Sequence, residues 1–507
     1  MEANFIPGVL LNAYPDSMGG TLSEAVKLLA GPELRGAFSG FYLLPSLFHH
    51  DLDRGFSVID YGLNEQLASE SDLTALREQG VSLLLDFVLN HASVRSPQFR
   101  DLLEKGEVSP YRDLFLDWNR FWAGHGTMTA EGYIQPDAAL IKDMFFRKPG
   151  LPLLMVRFPD GREVPYWNTF YQEVREETDG RRSYLGQMDF NIRSPQYLTF
   201  CRETLQTLRG YGASVIRLDA FAYAHKEPGA RNFLNEPGTW ELLDSVSRIA
   251  QPLGLTLLPE IHASYAEGVY ALLGSKGYPV YDFFLPGLIL DAFEQRSGET
   301  LARWASEIAA RKLRTVNMLG CHDGIPLLDL KGLLPETRIR RLIDTVVSRG
   351  GIVKDLHGQQ NVYYQVNATY FSALGEDERR LLLARAVQLF MPGTPQVWYL
   401  DLFAGKNDIE AVHRGGAGAH KEINRTNLSA EELEARLRFP VVLQQLELLK
   451  LRNSCPVFTG DAEISVEASG SRLRIEWRNA VGAAILEADF ADASFTVRTP
   501  ELTRAYP

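Results

Sequence analysis

Three cysteines in 507 residues, Cys201, Cys321 and Cys455, are too few and too scattered for a disulfide framework or a thiolate metal cluster. That scarcity fits a reducing compartment. Long apolar runs are missing too: no stretch reaches the roughly 18 uncharged apolar residues that a membrane-spanning helix needs. Met1 to Tyr14 lacks the basic start, apolar core and small-residue cleavage site of a secretory leader, so a cytoplasmic protein is expected. Nor is positive charge in excess. With 52 basic and 64 acidic residues the net charge is −12, the wrong sign for a broad nucleic-acid-binding surface, whose phosphates need compensating cations. A small anion pocket built from a few Lys and Arg is still compatible with that balance. No complete phosphate-cradling glycine loop and no organic-cofactor motif is present, so no cofactor is expected.

What the chain does contain is a rhythm. Short, nearly continuous apolar runs occur at Pro7–Tyr14, Gly40–Leu44, Val81–Leu89, Ser214–Asp219, Leu255–Glu260, Val280–Phe284, Thr315–Leu319 and Gln396–Leu400. Such runs suit parallel strands covered on both faces. Amphipathic helical stretches such as Ser23–Leu29, Glu65–Gln79 and Pro195–Arg209 lie between them. Eight strand–helix units in this order predict an α/β fold, a closed (β/α)8 TIM barrel. Two polar excursions interrupt it, residues 92–191 after the third strand and 324–370 after the seventh. After Cys455, the alternating runs Ala462–Val466, Arg472–Trp477 and Ala483–Ala488 predict a small antiparallel β domain. The expected organisation is a barrel at 1–91 and 192–454, an inserted domain at 92–191 and a β domain at 455–507. Helix-period Leu and Ala in Leu381–Leu389 and Val441–Leu451 read as core.

In a parallel barrel the functional side chains sit at the C-terminal ends of the strands. Here strand three ends in Asp86-Phe87-Val88-Leu89-Asn90-His91 and strand four in Arg217-Leu218-Asp219. Strand five ends in Glu260-Ile261-His262 and strand seven in His322-Asp323. One such signal has a plain explanation as a local ion pair or a satisfied polar network. Carboxylates, Arg and His converging at four strand ends demand a functional one, because buried charge is costly unless paired.

These four segments resemble the four signature regions of the α-amylase superfamily, glycoside hydrolase family 13, in order and spacing across the whole chain. The resemblance implies Asp219 as nucleophile, Glu260 as general acid/base and Asp323 as transition-state stabiliser. It also implies Arg217 beside the nucleophile, with His91 and His322 on glucose hydroxyls. The chemistry is coherent: retaining cleavage needs one carboxylate to attack the anomeric carbon and a second, roughly 5 Å away, to protonate the leaving oxygen. On this reading Arg217 keeps Asp219 ionised while Glu260 holds a proton.

Further segments are similar to the sucrose phosphorylase branch, which includes sucrose 6′-phosphate, glucosylglycerol and glucosylglycerate phosphorylases. Asp53-Arg54-Gly55-Phe56 resembles the segment whose Asp holds the glucose 4-hydroxyl, Arg425 the partner of that Asp, and Phe170 the aromatic platform near the glucosyl ring. Tyr364-Gln365-Val366-Asn367 and Gly405-Lys406-Asn407-Asp408 also fit. The branch implies a phosphate or acceptor side formed by Tyr223, His262 and Tyr364, with Arg147 or Lys148 in place of the branch's phosphate-binding Arg. It further implies a small α-glucoside, inorganic phosphate and glucose 1-phosphate as partners, and no metal. Two segments depart from it. Asn361-Val362-Tyr363 stands where sucrose-cleaving members place Leu-Asp-Leu, and Cys321 and Pro326 stand where relatives tend to have Thr and Gly. With the fructose-contacting carboxylate gone, a compact glucoside such as glucosylglycerol is expected to outrank sucrose. An amylase-type hydrolase or transglucosidase would share every carboxylate and is the alternative; a non-catalytic barrel would have lost them. Monomer and homodimer are equally open from sequence.

Overall fold

The structure, a computed structural model, describes residues 8–148, 150–176, 182–353, 365–416 and 419–506. Eight parallel strands form the central sheet: β1 Leu10–Ala13, β2 Gly40–Leu43, β3 Ser82–Val88, β4 Ala213–Asp219, β5 Thr256–Pro259, β6 Val280–Asp282, β7 Thr315–Met318 and β8 Thr394–Trp398. Their order is β5-β4-β3-β2-β1-β8-β7-β6, every pairing parallel. This is the TIM barrel expected from the eight apolar runs. The first run extends into residues that lie outside the described ones. The eighth starts two residues earlier than its hydrophobicity suggests and ends at Trp398, because Tyr399–Leu402 turns helical.

Helix boundaries follow capping chemistry. Helix α1, Leu22–Ala30, buries Leu22, Ala25, Val26 and Leu29 on one face. Helix α2 begins at Glu70 rather than Glu65, because Ser69 forms a reciprocal capping box with Asp72. Helix α3, Pro195–Gly210, starts with Pro at a first-turn position behind the Ser194 cap.

The first excursion folds as the inserted small domain after β3. It is built from short antiparallel pairs, Leu153–Arg157 with Glu163–Trp167 and Gln172–Glu176 with Arg182–Asp189. It has a separate apolar cluster around Trp118, Trp122, Ile134 and Trp167. Arg182–Asp189 also pairs with His91–Ser93, which carries the insertion back over the end of β3. The C-terminal antiparallel domain has five strands, β9 Glu463–Ser469, β10 Arg472–Asn479, β11 Gly482–Asp489, β12 Ser494–Arg498 and β13 Thr503–Tyr506. The last two were not among the expected runs, since their alternation is confined to Phe495, Val497 and Tyr506. Among the described residues no helix is long and apolar enough to cross a membrane.

Candidate active site

The centre of the site is one guanidinium serving three carboxylates. Arg217, on the inward face of β4, places Nη1 2.5 Å from Asp86 and 2.9 Å from Asp219, and Nη2 2.7 Å from Glu260. All four side chains are withdrawn from solvent. The Tyr42 hydroxyl donates to Asp86 at 2.9 Å, so the Arg has a firm base below the reacting groups. Ala220, immediately after Asp219, adopts a left-handed φ of 50° and turns the chain into the short helix Phe221–Tyr223.

Three carboxylates cannot all stay charged around one cation, and the structure distributes the burden unevenly. Burial pushes Asp219 well above the usual carboxylate range despite Arg217, with Glu260 and Asp86 adding to the rise. Burial acts on Glu260 in the same sense, but Arg217 and His262 outweigh it and hold Glu260 at about 2. In the free enzyme the site thus favours the proton on Asp219, whereas the expected catalytic state has it on Glu260. The physical reason is that Glu260 has Nη2 to itself and His262 3.5 Å away, whereas Asp219 shares Nη1 with Asp86.

Asp323 lies at the end of β7. Burial would raise it, but His322, Lys421 and Arg425 together hold it well below its ordinary value. Lys421 Nζ is 2.6 Å and Arg425 Nη2 3.4 Å from Oδ1, and His322 Nε2 is 3.3 Å from Oδ2. Burial, opposed by Asp323, depresses His322 to about 3. Its ring stacks on Phe56 with centroids 4.9 Å apart.

The segment Asp53-Arg54-Gly55 is a turn with three consecutive positive φ angles, 47°, 51° and 114°, a costly conformation for the two non-glycine residues. It sets Asp53 3.6 Å from Arg425 Nη1. Arg54 donates to the Arg425 carbonyl at 2.6 Å and pairs with Asp16 at 3.1 Å. Gly55 presses so close to the preceding turn that an added Cβ would lie 2.1 Å from the Ser46 nitrogen. Gly55→Ala is expected to lower stability by about 1–3 kcal/mol and to raise KM for the glucosyl donor by pulling Asp53 off Arg425. Denaturant melts with initial-rate kinetics check this; an unchanged melting curve would mean the turn is not under strain.

The insertion supplies the opposite wall. Phe170 meets His91 at 5.0 Å and Tyr223 at 5.5 Å between centroids. Arg147 donates from Nη1 to the Tyr223 hydroxyl at 2.9 Å and lies over both the Phe170 and Tyr223 rings. Lys148 points elsewhere, to Asn168 and, at 2.9 Å, Gln172, and burial lowers it to about 7. Of the two cations expected from sequence, Arg147 therefore faces the aromatic wall and Lys148 ties the insertion together. His91 is held at the end of β3 by two protein contacts. Its Nε2 faces the Phe56 carbonyl at 3.0 Å and its Nδ1 the Asn90 amide at 3.2 Å. Gln365 approaches His262 Nε2 at 3.4 Å. Tyr364 and Val362 lie outside the described residues.

Several site residues were not found by the sequence reasoning. Lys226 is buried and contacts Asp189 at 2.8 Å, Asn90 at 3.0 Å and the Tyr223 carbonyl at 2.6 Å, locking the insertion to the ends of β3 and β4. Tyr14 lies beneath Arg54, Arg425 and His322. Lys421, beside Asp323, carries no sequence signal beyond its nearness to Arg425. Asp329 accepts from His262 Nδ1 at 2.9 Å; its signal was a lone charge inside Leu327-Leu328-Asp329-Leu330. Among the described residues no group of three or more His, Cys, Asp or Glu is placed to hold a metal ion.

No protein-family model matches the chain. The chain is 55% identical over 506 residues to a sucrose 6(F)-phosphate phosphorylase of Ilumatobacter coccineus, covering 98% of this chain and 96% of that one. The chain belongs to the sucrose phosphorylase-type α-glucoside phosphorylases. A sucrose phosphorylase of Streptococcus mutans is 34% identical over 498 residues, 97% of each chain. The crystal structure of sucrose 6F-phosphate phosphorylase from Thermoanaerobacter thermosaccharolyticum superposes with a TM-score of 0.89 at 31% identity, covering 100% of this chain and 98% of that one. This phosphorylase is thus an enzyme of the glycosyl-transferring kind on an eight-stranded parallel barrel.

Proposed function

We propose that this phosphorylase cleaves sucrose 6(F)-phosphate with inorganic phosphate, retaining configuration and releasing α-D-glucose 1-phosphate and fructose 6-phosphate. The observation that carries the reading is Arg147 on Tyr223 and Phe170, a guanidinium at the aromatic wall, where its fork suits a phosphoryl group. The 55% identical relative supports the same substrate. The Asp-to-Val departure at Val362, from which a compact glucoside such as glucosylglycerol was expected, fits a phosphorylated acceptor equally well, because a carboxylate there would repel the dianion.

In this mechanism Asp219 attacks the anomeric carbon as Glu260 protonates the departing oxygen, leaving a glucosyl ester on Asp219. Phosphate then attacks that carbon, Glu260 takes its proton, and the Asp219 carboxylate leaves. Asp323 grips sugar hydroxyls as positive charge develops on the ring. The carboxylate cluster around Arg217 must shift a proton before the first step. As the leaving oxygen draws Glu260 away from Nη2, Arg217 is left to Asp219 and Asp86, which favours Asp219 as the charged member and Glu260 as the protonated one. The partners are therefore small molecules, the glucoside and phosphate, and a cytoplasmic setting suits both.

The test compares kcat/KM for sucrose 6(F)-phosphate, sucrose, glucosylglycerol and glucosylglycerate at saturating phosphate. Sucrose 6(F)-phosphate is expected to lead by about tenfold or more, a gap of about 1.4 kcal/mol, and Arg147→Ala to erase most of that lead. If sucrose or glucosylglycerol leads, the substrate assignment is wrong.

A further inference from the structure

His262 stands two residues beyond Glu260, and the surroundings of its ring are specific. One face stacks on Phe283, with centroids 3.9 Å apart and planes within 20°. Nδ1 is 2.9 Å from Asp329, which the short helix Leu328–Leu330 delivers from beyond β7. Nε2 faces Glu260 at 3.5 Å and the side-chain amide nitrogen of Gln365 at 3.4 Å, an amide that turns its oxygen to the ring when the ring is charged. Both His262 and Asp329 are buried. Among the described residues, the charged groups that face the ring are Asp329 from the short helix and Glu260 from its own segment, with Arg217 behind Glu260 and Glu267 acting on Asp329.

This arrangement sets the protonation of the ring. A neutral imidazole between two carboxylates could donate to only one of them, whereas the imidazolium donates on both sides. Aromatic stacking fixes the plane, and the bond to Asp329 fixes which edge looks toward Glu260. Burial alone would discharge the ring, but Asp329 and Glu260 outweigh it and raise His262 to about 9.

We infer that Asp329 is a positioning residue that holds His262 as an imidazolium aimed across Glu260, so that the acceptor side offers a fixed positive charge to a phosphate dianion and none of comparable value to water. The inference rests on the reading that phosphate attacks from the Glu260 side. A water molecule entering there gains one hydrogen bond from the cation; a phosphate dianion gains that bond and the attraction of opposite charges as well. The partition of the glucosyl–enzyme between phosphate and water is then set by a residue that touches neither.

The sign of the pH effect follows from the raised value. The ring is charged below about 9 and loses phosphate affinity only as the pH rises through that value. Without Asp329 the same loss sets in roughly two pH units lower, near or below the ordinary histidine range. The experiment measures KM for phosphate and the ratio of glucose to glucose 1-phosphate formed from α-glucosyl fluoride, between pH 6 and 9, for the wild type, Asp329→Asn and Asp329→Glu. Taking variant-to-wild-type ratios removes the ionisation of phosphate itself. At pH 8, Asp329→Asn is expected to raise KM for phosphate about tenfold or more and to shift the product ratio toward glucose. Near pH 6 the gap should narrow, and Asp329→Glu should restore the wild-type profile. His262→Gln, which keeps a neutral hydrogen-bonding side chain, is expected to bind phosphate weakly at every pH and to show no inflection; this arm stands even if Asp329→Asn fails to fold. A pH-independent loss in Asp329→Asn, an equal fall in phosphorolysis and hydrolysis, or a surviving inflection in His262→Gln would overturn the inference. Fluoride consumption that does not respond to phosphate even in the wild type would overturn the parent reading instead.

Discussion

Asp219→Ala is expected to cut glucosyl transfer by about four orders of magnitude or more, because no other carboxylate can form the covalent ester. Asp86 is pinned below by Tyr42 and Arg217, and Asp323 is enclosed by His322, Lys421 and Arg425. Glu260→Gln is expected to lose as much with glucoside donors, but far less with α-glucosyl fluoride, whose leaving group needs no proton. That asymmetry separates the two roles where a simple loss of activity would not. Single-turnover kinetics with both donors, together with the anomeric form of the product, make the measurement. Near-normal turnover by Asp219→Ala, or a β-configured glucose 1-phosphate, would remove the double-displacement scheme.

The second large effect is on stability. Arg217→Leu leaves Asp86, Asp219 and Glu260 buried without their shared cation, and removing one partner of a buried ion pair typically costs about 3–5 kcal/mol. Unfolding in denaturant should show a loss in that range, largest above neutral pH, where the stranded carboxyl groups are pressed to ionise. Adding Asp86→Asn to the same chain should recover part of it, since one unpaired charge is then gone. A loss under about 1 kcal/mol would mean that protonation, rather than the guanidinium, neutralises the cluster.

Sequence conveyed the barrel and the strand-end carboxylates well, for a physical reason. A strand buried on both faces must be apolar almost throughout, so charge at its C-terminal end stands out, as in Leu85-Asp86 or Arg217-Leu218-Asp219. The direction in which Arg217 shares itself could not be read the same way. It depends on which nitrogen meets which oxygen across β3, β4 and β5. His91 and Lys148 show the same limit: residue type and position were right, but partners from distant segments, the Phe56 carbonyl and Gln172, decide where each side chain points. Lys226 was invisible because a buried lysine is defined only by Asp189 and Asn90, distant in sequence on either side of the insertion.

Consider finally where the two halves of the pocket are anchored. The residues assigned to the glucosyl half, Asp219, Asp323, Arg217 and Asp53, hang on strand ends and on a turn held by Gly55 against Ser46. A second group, Arg147 and Gln365 of the acceptor half, comes from the two excursions outside the barrel rhythm, while Tyr223 and His262 of that half stay at strand ends. A change in the first group disturbs the barrel itself; a change in the second alters only a loop. The architecture thereby uncouples heritable variation in the two specificities, so that one lineage can keep its donor sugar fixed while sampling new leaving groups. For protein engineering, libraries confined to the two excursions should yield folded enzymes with new acceptors far more often than libraries of equal size at the strand ends.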